Sequence, residues 1–184
     1  MIDCVGYIVP SSLGYIENEQ PRMVVTPWFD KEIPFNLAAE IGTQKVINEH
    51  STIGLVVTTD GSISDIPREE YEEAEQRVVN ELRQINKPFV VLLNCTNPSA
   101  PAAVSLRASL EERYGVPVVA VNCLDLGEAD IRVILSDVLF QFPVREVAVS
   151  LPGWVTSLAP DHWLRTSLYD SIRQSAQDVE RIGQ

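Results

Sequence analysis

Two short apolar runs flank one amphipathic segment, and that arrangement restricts this chain more than any other feature of it. Ile53 to Val57 is unbroken by charge and leads into Thr58-Thr59-Asp60-Gly61, while Phe89 to Leu93 is the second run and ends at Asn94. Both are rich in β-branched residues, the pattern of strands buried on both faces of a parallel sheet. Between them Tyr71, Ala74, Val78, Leu82 and Ile85 recur at spacings of three and four, so a helix places them on one face. Pro67 suits the first turn of that helix, where Glu69, Glu70, Glu72 and Glu73 meet its positive end. The stretch therefore predicts one right-handed βαβ unit. Ligands of such sheets bind beyond the carboxyl ends of the strands, which points Thr59, Asp60 and Asn94 toward any site.

The same alternation extends both ways. Asn36 is placed to cap a helix running to His50, with Leu37, Ile41, Val46 and Ile47 inward. Pro101 to Tyr114 reads as a helix with Val104, Leu106 and Leu110 inward, stopped by Gly115. Val116 to Val121 is a third buried strand and Ala129 to Phe140 another helix. The fold class is thus α/β, a mostly parallel sheet with helices on both faces. Ahead of it, Met1 to Gly6 reads as a strand with no polar lead-in, so Met1 reads as an artificial or misassigned start. Tyr7 to Phe35, with Pro10, Pro21, Pro27 and Pro34, reads as one long irregular stretch.

Past Phe142-Pro143 the pattern changes. Arg145 to Leu151 alternates like a half-exposed antiparallel strand, Pro152-Gly153 turns, and Asp161 to Ile182 forms a helix on Leu164, Leu168, Ile172, Val179 and Ile182. The expected division is residues 1–141 as one domain and 142–184 as the beginning of an α+β region.

Charge and composition exclude several functions. A formal charge of −12 over 184 residues opposes non-specific binding to nucleic acid. No apolar run reaches the roughly 20 residues of a membrane span. Cys4, Cys95 and Cys123 are scattered, and neither His50 nor His162 stands at metal-ligand spacing, so free thiols in a reducing compartment are expected.

Three groups of residues could carry chemistry. Asp3-Cys4-Val5-Gly6 is an Asp-x-x-Gly. Such an Asp can hold magnesium, directly or through water, while the Gly lets an N–H approach a terminal phosphate; the same residues also simply make a turn. The partner loop G-x-x-x-x-G-K-[ST] does not occur in the sequence. Asn94-Cys95-Thr96-Asn97 is the second group. Guanine-specific members of the phosphate-loop superfamily carry Asn-Lys-x-Asp here, and the amide of Asn97, with one donor and one acceptor, suits an adenine edge better; a polar turn into a helix is the other reading. Thr58-Thr59-Asp60-Gly61-Ser62 is the third, either a phosphate or water sensor or a turn of ordinary turn residues.

Assembled, these stretches resemble the stage IV sporulation protein A family, the coat-basement ATPases of endospore-forming bacteria. DCVGY (3–7), TPWFDKEIPF (26–35), AAEIGTQKVINEHSTIG (38–54), TTDGSISDIPREEYEEAEQRVVNEL (58–82), INKPFVVLLN (85–94), FPVREVAVSLPGWV (142–155) and HWLR (162–165) carry the resemblance. It implies a domain related to translation-factor GTPases but specialised for ATP, here without its phosphate-loop segment, followed by the start of the family's middle domain. By this resemblance Asp3 matches the Walker B aspartate that holds Mg2+, Gly6 the phosphate-sensing glycine, and Asn94 the base-recognition strand end; the strand-end readings above add Asn97, Thr59 and Asp60 as expected nucleotide-binding residues. ATP hydrolysis in that family drives self-assembly of the basement layer at the forespore surface, in the mother-cell cytoplasm. Partners so implied are further copies of the protein, coat proteins, and a small membrane-anchoring peptide through a C-terminal region beyond this stretch. Without the phosphate loop the chain is expected to be inactive alone; a non-catalytic assembly module is the alternative. A flavodoxin-like binding domain is disfavoured, since no strand end offers its phosphate loop. The strand that precedes a phosphate loop would lie between the Asp3 segment and residues 53–59, so its backbone partners are expected to close up or to pair elsewhere.

Overall fold

The computed structural model describes residues 2–183. They form two compact units, one running to Val138 and one from Leu139 onward.

In the first unit β5 (Gly54–Thr59), β6 (Phe89–Asn94) and β7 (Val118–Val121) make a parallel sheet in that order. Gly54 pairs with Phe89 and Thr59 with Asn94; across β6, Asn94 pairs with Val121. This register levels the carboxyl ends of all three strands. Crossovers α2 (Arg68–Gln84) and α3 (Pro101–Tyr114) cover one face. Val79, Leu82 and Leu110 pack there with Val56, Val91, Leu93 and Val118. The other face holds a smaller cluster, in which Ile134 of α4 (Glu128–Phe140) meets Leu92 and Val121. Full burial of each such aliphatic side chain stabilises by about 1.5–3 kcal/mol, an upper figure for a chain already partly compact when unfolded. Gly54 lets β5 approach α2, because a Cβ there would lie 2.9 Å from Leu82. Gly115, in the left-handed region at φ +55°, ends α3 by donating to the Glu111 carbonyl at 2.8 Å.

Several expectations need correction. β5 is not buried on both faces: Leu55 is 40 % and Val57 60 % exposed, because β5 is an edge strand and Ile134 packs over β6 and β7. The expected strand Met1–Gly6 is absent over residues 2–6, and Met1 lies outside the described residues. A strand exists only through its ladder, and this segment has none. It is held by side chains instead. The Gly6 N–H donates to Thr43 Oγ1 at 3.1 Å, the Tyr7 hydroxyl donates to Glu81, and the Ser11 N–H and hydroxyl both donate to Glu70 at 2.7 Å. Between this strap and the β5–α2 layer lies a cavity of about 420 Å3, lined by Val5, Ile8, Val56, Val57, Ala74 and Glu75 among others.

Residues 7–35 are not irregular throughout. β1 (Ile16–Glu17) pairs with β2 (Gln20–Pro21), and β3 (Met23–Thr26) with β4 (Phe29–Pro34), both antiparallel. Asn18 and Glu19 turn the first hairpin in the left-handed region, and Pro27-Trp28 the second. Helix α1 (Phe35–Lys45) follows directly and runs into a π-helical turn, Val46–His50. Pro34 rather than Asn36 is its N-cap, Leu37 is exposed, and so is Val104 of α3. The third strand starts at Val118, two residues later than expected.

The second unit contains α5 (Gly153–Thr156) and α6 (Trp163–Gln177). Arg145–Leu151 forms no strand among the described residues, contrary to expectation; its Val147 and Val149 line a cleft with Ile172 and Val179. The helix expected over 161–182 is shorter at both ends. His162 caps it, its Nδ1 accepting from the Leu164 N–H at 3.2 Å. Antiparallel backbone hydrogen bonds join Val144 to Glu180 and Ile182 to Phe142.

Candidate functional site

The level carboxyl ends of β5, β6 and β7 bring three turns together. Thr59 and Asn94 are register partners on adjacent strands. After Thr59 the chain reverses at Gly61, φ +86°, whose N–H donates to Thr59 Oγ1 at 3.1 Å. An added Cβ at Gly61 would lie 3.0 Å from the Arg68 backbone nitrogen, so this close approach needs glycine. Asp60 turns back on its own loop, its Oδ1 accepting the Ser62 N–H at 2.9 Å and the Ser62 hydroxyl at 2.5 Å.

The turn after β6 is fixed in the same way. Asn94 Oδ1 accepts the Cys123 N–H at 3.0 Å, tying β6 to the β7 turn, and Asn97 Oδ1 accepts the Ser99 N–H at 3.1 Å. The Asn97 side-chain carbonyl therefore shares its acceptor capacity with the turn that leads into α3. Beyond β7, Asn122 accepts from the Leu124 N–H and donates to Asp125. Cys95, buried behind these turns, has its thiol pushed up by burial first and then by Asp60 and Cys123.

A buried ion pair supports this edge. Arg68 donates to Thr58 Oγ1 at 3.1 Å and to Glu75 Oε1 at 2.9 Å, and Tyr114 donates to the same Glu75 oxygen at 2.7 Å. It ties the start of α2 and the end of α3 to the end of β5. Sequence reasoning missed Arg68, Glu75 and Tyr114, and it gave Ser62 and Thr96 no role apart from their turns. Glu75 had a signal: it stands four residues after Tyr71 and four before Val79, an acid on an apolar stripe.

The other predicted site residues lie elsewhere. Asp3 shares a cleft with Trp28, Lys45 and His50, the last of these four residues ahead of β5. That cleft contains none of Thr59, Asp60, Asn94 or Asn97, so the structure does not bring Asp3 to the carboxyl edge. Gly6, at φ +81°, has its N–H engaged by Thr43. Among the described residues no three His, Cys, Asp or Glu side chains gather where a cation would sit. The residues present here do not by themselves make a magnesium site, and the Lys45 ammonium in the Asp3 cleft opposes one. The carboxyl edge instead gathers the amides and hydroxyls of Thr59, Ser62, Asn94 and Asn97 beside the carboxylate of Asp60.

Known proteins are similar to this chain over almost its whole length. Residues 1–143 match the family described as stage IV sporulation protein A, ATPase domain, and residues 144–184 match its middle domain. The chain is 50% identical over 182 residues to the stage IV sporulation protein A of Bacillus anthracis. It is 47% identical to that of Bacillus subtilis (strain 168) and 46% to that of Clostridioides difficile (strain 630). Each alignment covers 99% of this chain and 37% of the relative, so the chain spans little more than a third of the length of these relatives. No solved structure matches it.

Proposed function

Because this chain belongs to the stage IV sporulation protein A family, we propose that it forms the base-recognition side of an ATPase domain. In the complete protein, ATP hydrolysis drives self-assembly of the basement layer of the spore coat. The observation that supports this reading is the shared edge of Thr59 and Asn94, with Asn97 beginning the next turn. Its amides and hydroxyls can present donors and acceptors to a purine. The phosphate loop and the further magnesium ligands come from elsewhere in the longer protein. Asp3 and Gly6, which the resemblance assigns to the metal and the terminal phosphate, take those roles only in that context.

On this reading the 184 residues alone do not turn over ATP, because phosphoryl transfer rests on positioning and charge neutralisation of a polyanion. The charge of −12 repels that ligand. The partners are further copies of the protein, coat proteins, and a small membrane-anchoring peptide bound through the C-terminal region. The site of action is the forespore surface in the mother cell. Among the described residues no helix is long and apolar enough to cross a membrane. A non-catalytic assembly module is the second reading, and the open apolar edge at Leu55 and Val57 favours it.

Titration of labelled ATP and GTP against the full-length protein and against the 184-residue chain separates the two. Magnesium-dependent turnover of ATP by the full-length protein, lost in Asp3→Ala, supports the ATPase. Failure of the full-length protein to bind either nucleotide leaves the assembly module. Hydrolysis by the 184 residues alone would show the phosphate site to be misplaced.

A further inference from the structure

Ser62 joins the two turns of the carboxyl edge, and its hydroxyl is fully committed. It donates its one proton to Asp60 Oδ1 at 2.5 Å. Its lone pairs are left to accept, and two donors reach them: the Thr96 N–H at 3.0 Å and the Thr96 hydroxyl at 3.2 Å. The directions are forced, since a hydroxyl has one proton and a carboxylate has none to give. Asp60, held in the turn by the Ser62 N–H at 2.9 Å, sets the orientation of that hydroxyl. Thr96 is the residue before Asn97, whose Oδ1 is set in turn by the Ser99 N–H.

We infer that Asp60, Ser62 and Thr96 form a positioning relay that fixes the Asn97 amide for the base of the bound nucleotide. This deepens the proposed function and rests on it. It also gives Asp60 a different task from that expected of an acid at a strand end. Its carboxylate is an acceptor that orients a neighbour, and contact with phosphate or metal is not its role. The relay explains how a loop with no buried side chain between Thr96 and Ser99 can hold one geometry. Pre-organisation of this kind lowers the ordering cost of binding, so its loss appears in affinity before it appears in the chemical step.

Three variants of the full-length protein test it, with wild-type nucleotide binding measured first. Ser62→Ala removes the relay. It should raise amide hydrogen exchange in the 94–97 turn and raise Kd for ATP by roughly three- to ten-fold, the range of one hydrogen bond, with a smaller effect on kcat than on KM. Ser62→Thr keeps the hydroxyl and should restore both. Asp60→Ala removes the acceptor that orients the Ser62 hydroxyl and should raise Kd for ATP about as far as Ser62→Ala does. If Asp60→Ala lowers kcat far more than it raises Kd, the carboxylate contacts metal or phosphate in the chemical step and the relay is wrong. Faster exchange in Ser62→Ala with unchanged Kd overturns it too, because the link would then be structural only. Wild-type protein that binds no nucleotide removes the function reading itself, and the relay with it.

Discussion

Tyr114, the last residue of α3, donates a 2.7 Å hydrogen bond to Glu75 in the middle of α2, and both side chains are almost wholly removed from water. Glu75 also meets Arg68, so one carboxylate joins two helices and, through Arg68, the end of β5. Removing one partner of such a pair strands the other's charge. Glu75→Ala should destabilise the chain by about 3–5 kcal/mol, and Tyr114→Phe by about 1–3 kcal/mol. Urea unfolding of the three proteins checks both values; equal midpoints would remove the cluster from the stability of the fold.

The same contact predicts an alkaline limit. Burial, reinforced by the hydrogen bond to Glu75, holds the Tyr114 phenol well above its ordinary value near 10. In the unfolded chain the phenol loses its proton at that ordinary value, while the folded chain keeps it. The unfolded state then binds fewer protons, so this contribution is complete below about pH 10 and declines as pH rises above it. Unfolding free energy measured between pH 8 and 11 should fall more steeply in wild type than in Tyr114→Phe. Tyr7, raised by burial and by Glu81, contributes in the same direction.

Two glycines at positive φ separate strain from crowding. Gly115 at φ +55° has open space where a Cβ would point, so Gly115→Ala should cost only the left-handed penalty of about 1–2 kcal/mol. Gly61 at φ +86° adds a 3.0 Å approach to the Arg68 backbone. Gly61→Ala should therefore cost more than Gly115→Ala in thermal unfolding and should also disturb the 59–62 turn.

Val57 and Leu55 predict association. An edge strand with half-exposed aliphatic residues and free ladder groups tends to pair with another chain. Light scattering should show the 184-residue chain growing in mass across micromolar concentrations, and Val57→Lys should reduce that growth. A monomer at every concentration would contradict it.

Base preference gives a prediction for the longer protein. With Asn97 facing the base, ATP should be preferred over GTP, and Asn97→Asp should narrow the preference by about 1–3 kcal/mol, the penalty of an unsatisfied group. Competition between the two nucleotides measures it, and unchanged discrimination would take Asn97 out of the site.

The sequence by itself determined the βαβαβ order, the inward placing of Leu82 and Leu110, and the placing of Thr59 and Asn94 at one edge. These follow from local periodicity and from the hand of parallel crossovers, which apply whatever surrounds them. Tertiary structure alone decided which strand became the edge. Ile53 to Val57 and Phe89 to Leu93 look alike as apolar runs, yet β6 is enclosed by neighbours while β5 leaves Leu55 and Val57 in water. It also decided the fate of residues 2–6 and 145–151. Both have strand-like sequences, but a strand exists only when another backbone accepts its hydrogen bonds, and among the described residues neither segment meets one. The links of Ser62 to Thr96 and of Glu75 to Tyr114 span 34 and 39 residues, and only packing brings such partners within hydrogen-bond distance.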